Sequence, residues 1–512
     1  MCGILFTKSN KHFSRKDFEQ ALDAQAWRGP DAKGTSFESK GISLGHVRLS
    51  ILDLSASSNQ PMSSSSDGGR YKIIYNGEIY NHLDIRKNLG LNCKTSSDTE
   101  TILEGFSQIG TKVFEMLDGM FALVIYDTLS NNWWAARDRY GIKPLFKYAS
   151  NDEIIISSET VSIRHLVDCT ISENSMREWR LIRRPIPGAT FFNEIDEILP
   201  GSVLSNNKLL FKMRPASLLE DEKFSQEKIE KMISESVQDH ELSDVKNVCL
   251  LSGGIDSSLI TAISSAKQTY TVGLKENNEI AEAEETATLL EKKIYSLIVE
   301  PEERTMSWES LIQLRGEPLS VTNEGLIYLI CKSMDTDEKV VLTGEGADEI
   351  FFGYDRIFRK GTETGFHFGL SDFYKYYAYA ENDNPSERLD DFLSKMIRGR
   401  TSIEFLEDFF LEVHLTGLLR RMDMSSMAAS KEARVPFVSS KLINYMYRRP
   451  SKFKIDKNLS KIPLRVMCES LGLNEPLNRK KVGFSSTMKG VTDRFDEYRN
   501  FRKFNLEVLQ WL

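Results

Sequence analysis

Paired cysteines are missing from this sequence. It contains six cysteines but no C-x-x-C pair, so we expect neither a cysteine-based zinc site nor a disulfide framework. A reducing compartment, the cytoplasm, is the simplest expectation. An excess of positive charge is also missing, because 66 Lys and Arg face 74 Asp and Glu and give a formal net charge of -8. This balance argues against a nucleic-acid partner.

Long apolar runs are absent as well. No uncharged apolar run of about eighteen residues occurs, and the apolar start MCGILFTK is too short for the core of a signal peptide. We therefore expect no membrane-spanning segment and no secretion by that route. The 40% hydrophobic and 27% charged residues are ordinary for a globular protein, and 512 residues exceed what one core usually organises. At least two domains are expected.

The first part of the chain has the pattern of a layered α+β domain. Short strand-like runs such as YKIIYNGEIY, MFALVIYD and EIIISSE recur between residues 73 and 156, separated by Gly, Asn and Asp. The spacing predicts a helix over Asp98–Gln108 with an acidic first turn. Closely spaced Pro and Gly at 185–201 and a polar stretch after Lys208 place the boundary near 205–225. We predict domains at 1–210 and 211–512.

The second part alternates strand and helix patterns. The second part contains four strand-like runs, NVCLL, TYTVGL, IYSLIV and KVVLTG. One helical pattern begins at Ile255 after the first run, and another covers 281–293 after the second. Such alternation predicts a parallel sheet with crossover helices. Residues 351–512 are rich in helix formers, which predicts a helical extension.

A cysteine directly follows the initiator methionine. Removal of Met1 would leave Cys2 with both a thiol and a free α-amine, so that one residue holds the nucleophile and a base. With ordinary pKa values of about 8.5 and about 8, the amine can take the thiol proton near neutral pH. Cys2 alone could also be incidental.

Ordered companions strengthen the functional interpretation of Cys2. After MCGI come RGPD at 28–31, RLS at 48–50, NGEIYN at 76–81 and SDTE at 97–100. In this order the motifs resemble those of the class II glutamine amidotransferases, whose domain is an αββα sandwich of the N-terminal-nucleophile hydrolase type. The resemblance implies that Cys2 attacks the glutamine side-chain amide, while Asn76 and Gly77 form an oxyanion hole.

The resemblance also implies how glutamine is held. Arg48 would bind the substrate α-carboxylate, and Glu78 and Asp98 would receive its α-ammonium. Taken singly, each of these residues also fits a purely structural role. Asn76–Gly77 is a common hairpin turn, and Arg48 and Asp98 could form a surface ion pair or a helix cap.

A glycine-rich loop follows the strand-like run NVCLL and opens a helix. LLSGGIDSS at 250–258 would place backbone N–H groups at the positive end of that helix, which suits phosphate. It lacks the endings of a P-loop and of a dinucleotide fold, and resembles the S-G-G-x-D-S loop of ATP pyrophosphatases. The residues predicted to bind ATP are Leu250, Ser252, Gly253, Gly254, Asp256, Ser257, Val272, Thr343 and Gly344.

A second acidic motif, LTGEGADE at 342–349, also follows a strand-like run. Carboxylates beside phosphates imply Mg²⁺. By resemblance to the asparagine synthetase family, Asp256 and Asp348 would hold the metal and Glu345 would act at the acceptor. Lys481, in RKKVGF, would stabilise charge during adenylation. A solvated acidic turn and a solvated basic turn are the plain alternatives for these two segments.

The resemblance spans nearly the whole chain, through SMAASKEARVPF at 426–437. It implies an enzyme that hydrolyses glutamine and uses ATP to amidate a carboxylate, releasing AMP and pyrophosphate, with a tunnel for ammonia between two sites. Its partners would be small molecules, and a homodimer is left open. Lys431, Phe352 and the 316–324 segment depart from the pattern expected of an asparagine-making enzyme.

Aspartate is the acceptor that the resemblance favours. A sugar uronic acid in surface-polysaccharide assembly is an alternative, as is lactam closure, which would need no ammonia and hence no Cys2. A non-catalytic regulatory protein that retains the fold is the alternative of another class; broken motifs would be its signature, and a glutaminase assay would distinguish it.

Overall fold

The computed structural model describes residues 2–9, 13–213, 223–275, 278–379, 384–479 and 494–510. Its strands are β1 (Cys2–Ser9), β2 (Ala32–Glu38), β3 (Ile42–Arg48), β4 (Met62–Ser63), β5 (Tyr71–Ile79), β6 (Gly119–Asp127), β7 (Trp133–Arg137), β8 (Phe146–Ala149), β9 (Glu153–Ser157), β10 (Ile195–Glu197), β11 (Ser202–Ser205), β12 (Lys208–Lys212), β13 (Lys246–Leu250), β14 (Gln268–Leu274), β15 (Lys293–Val299), β16 (Glu338–Leu342) and β17 (Glu432–Arg434).

The helices fall between and around these strands. They are α1 (Arg15–Asp23), α2 (His82–Leu89), α3 (Asp98–Ile109), α4 (Val113–Met116), α5 (Thr160–Arg164), α6 (Glu173–Ile182), α7 (Gln226–His240), α8 (Ile255–Ile263), α9 (Ile280–Leu289), α10 (Pro301–Arg315), α11 (Glu324–Lys332), α12 (Ala347–Ile350), α13 (Asp355–Gly361), α14 (Leu370–Tyr377), α15 (Glu387–Ile397), α16 (Ser402–Phe409), α17 (Leu415–Met427), α18 (Ser440–Met446), α19 (Ile462–Ser470), α20 (Asn474–Asn478) and α21 (Arg494–Leu509). No described helix is long and apolar enough to cross a membrane.

Two antiparallel sheets pack face to face in the first part of the chain. Their strand orders are β10-β8-β9-β1-β3-β2 and β12-β11-β7-β6-β5-β4. Side chains of β1 alternate, so Ile4 and Phe6 join β6 residues in the core between the sheets, while Leu5 packs outward with Phe18 of α1. Helix α3 covers the outer face of β5. The αββα sandwich is therefore confirmed.

The predicted helix at Asp98–Gln108 is α3, which continues to Ile109. Its start is explained by local chemistry. Ser97 caps it by accepting a hydrogen bond from the Thr99 backbone N–H, and Asp98 and Glu100 place negative charge in the first turn.

A five-stranded parallel sheet, in the order β15-β14-β13-β16-β17, forms the centre of the second part. Both of its faces are buried: Val248 packs with α11 and Cys249 with α7 and α8. The parallel sheet and the helical extension are confirmed. The helix expected over 281–293 ends at Leu289, because the chain enters β15 at Lys293. Strand β17 lies in the region predicted to be helical.

Candidate active sites

Cys2 begins β1 and lies buried where the two sheets meet. Its backbone N–H donates to Asn76 Oδ1 on β5 at 3.0 Å, and its carbonyl oxygen accepts from Arg28 Nε at 3.0 Å. Burial raises the pKa of the Cys2 thiol. A thiol in this setting needs a base close by to become a nucleophile.

Asn76 and Gly77 lie within β5 and do not form a hairpin turn. Because Asn76 Oδ1 accepts from Cys2, its Nδ2 is left as a donor, and this buried atom has no hydrogen-bond partner among the described residues. A Cβ on Gly77 would lie 2.1 Å from the Met120 carbonyl oxygen of β6. Glycine is therefore required there by the neighbouring strand.

A cavity of about 30 Å³ next to Cys2 is lined by all three residues predicted to hold glutamine, Arg48, Glu78 and Asp98. Four of the five N–H groups of Arg48 donate to oxygens of residues 52–59, among them Ser55 O and Asn59 Oδ1 at 2.8 Å each. The guanidinium is thus fixed in place at the cavity wall by its own loop.

Asp98 is tied to β5. Its Oδ2 accepts from the Tyr75 hydroxyl at 2.6 Å and from the Ile79 N–H at 2.9 Å. Glu78 is also buried, and its Oε1 has no hydrogen-bond partner among the described residues. Burial and the charge of Asp98 raise the pKa of Glu78, which Arg434 opposes. An orphaned carboxylate oxygen at the cavity wall suits a cationic ligand group.

Two loops meet at the carboxyl edge of the parallel sheet. The glycine-rich loop joins β13 to α8, with Leu250 at the end of β13, and Ser257 Oγ accepts from the Ser252 N–H at 3.0 Å. The loop at Thr343 and Gly344 follows β16, which pairs with β13. A Cβ on Gly344 would lie 2.9 Å from the Ser257 N, so the two loops are in direct contact.

Asp256 and Asp348 converge on one cation. Lys461 Nζ lies 2.6 Å from Asp256 Oδ2 and 2.6 Å from Asp348 Oδ1, although the residues are far apart in sequence. A Cβ on Gly353 would lie 1.9 Å from Asp348 Oδ1, so only glycine lets this carboxylate take its position. Two carboxylates already sharing a cation are a donor set that fits Mg²⁺, which commonly takes one or two carboxylates beside phosphates.

Glu345 is held by Arg421, whose NH2 donates to Glu345 Oε1 at 2.5 Å. Gly253 of the glycine-rich loop packs against Glu282, since a Cβ on Gly253 would lie 2.9 Å from Glu282 Cβ. Val272 is buried in β14. Gly254 N donates to Ser252 Oγ at 3.3 Å. Lys481 lies outside the described residues.

Comparisons with known proteins follow the same division. Residues 1–215 match the model of the glutamine amidotransferase domain, and residues 228–507 match that of asparagine synthase. The chain belongs to the asparagine synthase family. It is a glutamine-hydrolysing, asparagine synthetase-like amidotransferase and thus a glutamine-dependent ligase. We call the two matched ranges the amidotransferase part and the synthetase part.

Relatives align over most of the chain. Glutamine-hydrolysing asparagine synthetase 3 of Bacillus subtilis is 27% identical and covers 99% of this chain and 92% of its own length. Asparagine synthetase 1 of the same organism is 27% identical, and the alignment covers 94% of this chain and 87% of that protein. A solved glutamine phosphoribosylpyrophosphate amidotransferase from B. subtilis aligns over 67% of this chain and 82% of its own at 14% identity and a TM-score of 0.33, from which we infer nothing further.

The departures from the family pattern occupy different places. Phe352, at a left-handed φ of 59°, stacks on Phe358 with ring centroids 4.2 Å apart in a buried cluster. Lys431 donates to the Asp335 carbonyl oxygen. By contrast, Ser320 of the 316–324 segment lines a cavity that Arg421 shares. Of these three, the structure places only this segment beside Glu345's partner.

Sequence analysis missed the residues that connect the two parts. Glu432 of β17 lines the Cys2 cavity, and Arg434 NH2 lies 3.0 Å from Glu78 Oε2 while its Nε lies 2.6 Å from Glu432 Oε1. Conversely, Arg28 of the amidotransferase part reaches Asp423 of α17 at 2.8 Å. Arg28 stands in the RGPD motif and Glu432 and Arg434 in SMAASKEARVPF, but neither motif indicates that these residues meet across the two parts.

Proposed function

We propose that this enzyme amidates aspartate to asparagine, with glutamine as nitrogen donor and ATP cleaved to AMP and pyrophosphate. A carboxylate oxygen of the acceptor attacks the α-phosphorus and pyrophosphate leaves; ammonia then displaces AMP from the acyl carbon. The observation that carries this proposal is that Asp256 and Asp348 both contact Lys461 Nζ beside a glycine-rich loop. We further propose the domain boundary at 210/211.

Glutamine hydrolysis would take place at Cys2. With Met1 removed, the nitrogen that donates to Asn76 is the free α-amine and accepts the thiol proton. The thiolate attacks the side-chain amide of glutamine, and ammonia leaves as a thioester forms. Asn76 Nδ2, which is otherwise unsatisfied, and the Gly77 N–H would stabilise the oxyanion. The thioester is then hydrolysed to glutamate.

Arg48, Glu78 and Asp98 would position glutamine, since all three line the Cys2 cavity. The orphaned Glu78 Oε1 supports the assignment of Glu78 to the substrate ammonium. Asp98 would act on the same group while it fixes Tyr75 and Ile79.

In the synthetase part, Asp256 and Asp348 would hold Mg²⁺, which neutralises phosphate charge when bound. The loop 252–257 with Thr343 and Gly344 would contact ATP, with Leu250 and Val272 behind it. Glu345 would receive the acceptor ammonium, and Lys481 would stabilise charge during adenylation. A homodimer remains part of this proposal, tested by the molar mass in solution.

The decisive experiment compares two nitrogen donors. In Cys2→Ala we expect loss of asparagine formation from glutamine and retention of formation from ammonium, because the nucleophile and the adenylating centre are separate. Cys169→Ala, a half-buried cysteine away from both sites, is the matched control and should behave as the wild type. Equal loss with both donors would contradict the proposal.

The acceptor is tested with ATP, Mg²⁺ and ammonium by quantifying AMP and amide. Aspartate should support both products. Amide formation only from nucleotide-linked uronic acids would replace aspartate by that alternative and leave the amidotransferase mechanism intact.

A further inference from the structure

A small cavity of about 20 Å³ lies beside Arg421, the ion-pair partner of Glu345. Its lining includes Arg183, Arg184, Ser320, His414 and Arg421. It is connected to the synthetase centre because Arg421 holds Glu345 at 2.5 Å. The described lining side chains include three guanidinium groups and no carboxylate.

Two of these three cations are compensated. Arg184 NH2 lies 2.9 Å from Glu197 Oε2, and Arg421 pairs with Glu345. Arg183 differs: within the described part of the chain, no carboxylate lies within ion-pair distance of it. It lies over the Tyr379 ring at 3.9 Å, and its NH2 lies 3.2 Å from His414 Nδ1.

His414 does not compensate Arg183. Burial, followed by the charges of Arg183 and Arg421, lowers the pKa of His414, so the ring is neutral. Arg183 can only donate, so Nδ1 is the accepting nitrogen and Nε2 carries the proton towards the Tyr354 hydroxyl at 2.9 Å. A neutral acceptor satisfies one N–H group and leaves the positive charge unbalanced.

Arg183 is half-buried, and a partly desolvated cation without a counter-charge is a favourable place for an anionic ligand group. The cavity can take one small polar group of a ligand. We propose that Arg183, with Arg421, binds the carboxylate of the acceptor that is not amidated. This inference rests on the proposed function and makes Arg183 a specificity-determining residue.

The charges around the cavity also indicate the substrate class. A second carboxylate of the acceptor would complement Arg183 and Arg421. The acceptor is therefore a small dicarboxylate, with its ammonium at Glu345 and its second carboxylate at Arg183. A residue of the amidotransferase part thus contributes to recognition at the synthetase centre.

The test compares aspartate with β-alanine, which is aspartate without its α-carboxylate. With ammonium as donor, Arg183→Gln should raise the KM for aspartate about tenfold to a hundredfold, the effect of one charge-assisted hydrogen-bonded pair, and change kcat less than about threefold. The KM for β-alanine should not change. Arg183→Lys should recover part of the loss, and Arg177→Gln, exposed on helix α6 just before Arg183, is the control.

An equal rise in KM for both acceptors, or none for aspartate, would overturn the role of Arg183. If the wild type released pyrophosphate with no acceptor, the proposed function would fail separately. Calorimetric titration with succinate tests the carboxylate subsite directly. If succinate binds the wild type but not Arg183→Gln, the subsite is supported. If succinate binds both equally, or binds neither, the subsite is overturned.

Discussion

Arg434→Met should weaken glutamine binding although Arg434 belongs to the synthetase part. Its side chain is fully buried and bridges Glu78 at 3.0 Å and Glu432 at 2.6 Å. Without the guanidinium, the pKa of Glu78 rises further, because burial and Asp98 already raise it and Arg434 is what opposes them. A protonated Glu78 could not pair with the glutamine ammonium that we propose it binds.

The expected size follows from one lost charge-assisted hydrogen bond. Such bonds contribute about 1.5–3 kcal/mol, so the KM for glutamine in the glutaminase assay should rise about tenfold to a hundredfold. Because the defect comes from protonation of Glu78, the rise in KM should shrink as pH is raised above neutral, where the carboxylate is restored. Unfolding measured by calorimetry should also occur at lower temperature, since breaking a buried ion pair costs about 3–5 kcal/mol.

The controls separate this effect from misfolding. Arg434→Lys keeps a positive charge, so its KM for glutamine should lie between those of the wild type and Arg434→Met. Arg15→Met removes an exposed ion pair with Glu19 and should change neither the KM nor the unfolding temperature. Synthesis from ammonium should persist in Arg434→Met. An unchanged glutamine KM in the folded variant, or an equal loss of synthesis from both nitrogen donors, would refute the reasoning.

Two further variants address the metal site and acid stability. Asp256→Asn should abolish acceptor-dependent pyrophosphate release and leave glutamine hydrolysis intact, because the two residues that we propose as Mg²⁺ ligands lie in the synthetase part; a magnesium requirement for glutamine hydrolysis alone would contradict this. Burial raises the pKa of Glu197, but Arg184 and Arg137 outweigh it and lower the pKa from 4.5 to about 2. This shift adds about 3 kcal/mol to the free energy of unfolding at pH values above 4.5, and the contribution is lost as pH falls towards about 2. The difference in Tm between wild type and Glu197→Gln should therefore narrow from about pH 5 to about pH 3. A difference that stays constant over this range would contradict a stabilising role for the Glu197 carboxylate.

Local sequence patterns predicted the elements that carry most of the site. The helix α3 was predicted by periodicity and an acidic first turn, and the junction of β13 with α8 by an apolar run followed by glycines. These signals work because each depends on residues a few positions apart. The same holds for Asn76 and Gly77, whose motif is contiguous.

Pairings over long sequence distances were not predictable in this way. Lys461 is a single lysine without a spacing signal, yet it joins two carboxylates from separate loops. Strand β17 has only three residues, two of them charged, so neither hydrophobicity nor β-propensity marks it. Its burial arises from tertiary partners, which override local preference.

The charged contacts between the two parts run in both directions. Arg28 of the amidotransferase part donates to the Cys2 carbonyl oxygen at 3.0 Å and reaches Asp423, while Arg434 of the synthetase part reaches Glu78. If the parts separated, each contact would leave a charge to be rehydrated or unpaired, and the wall that Glu432 supplies to the Cys2 cavity would be lost. The glutamine site that we propose at Cys2 is therefore complete only when the synthetase part is docked. Since ammonia released into water is protonated and no longer nucleophilic, this dependence ties its production to the place where it is used.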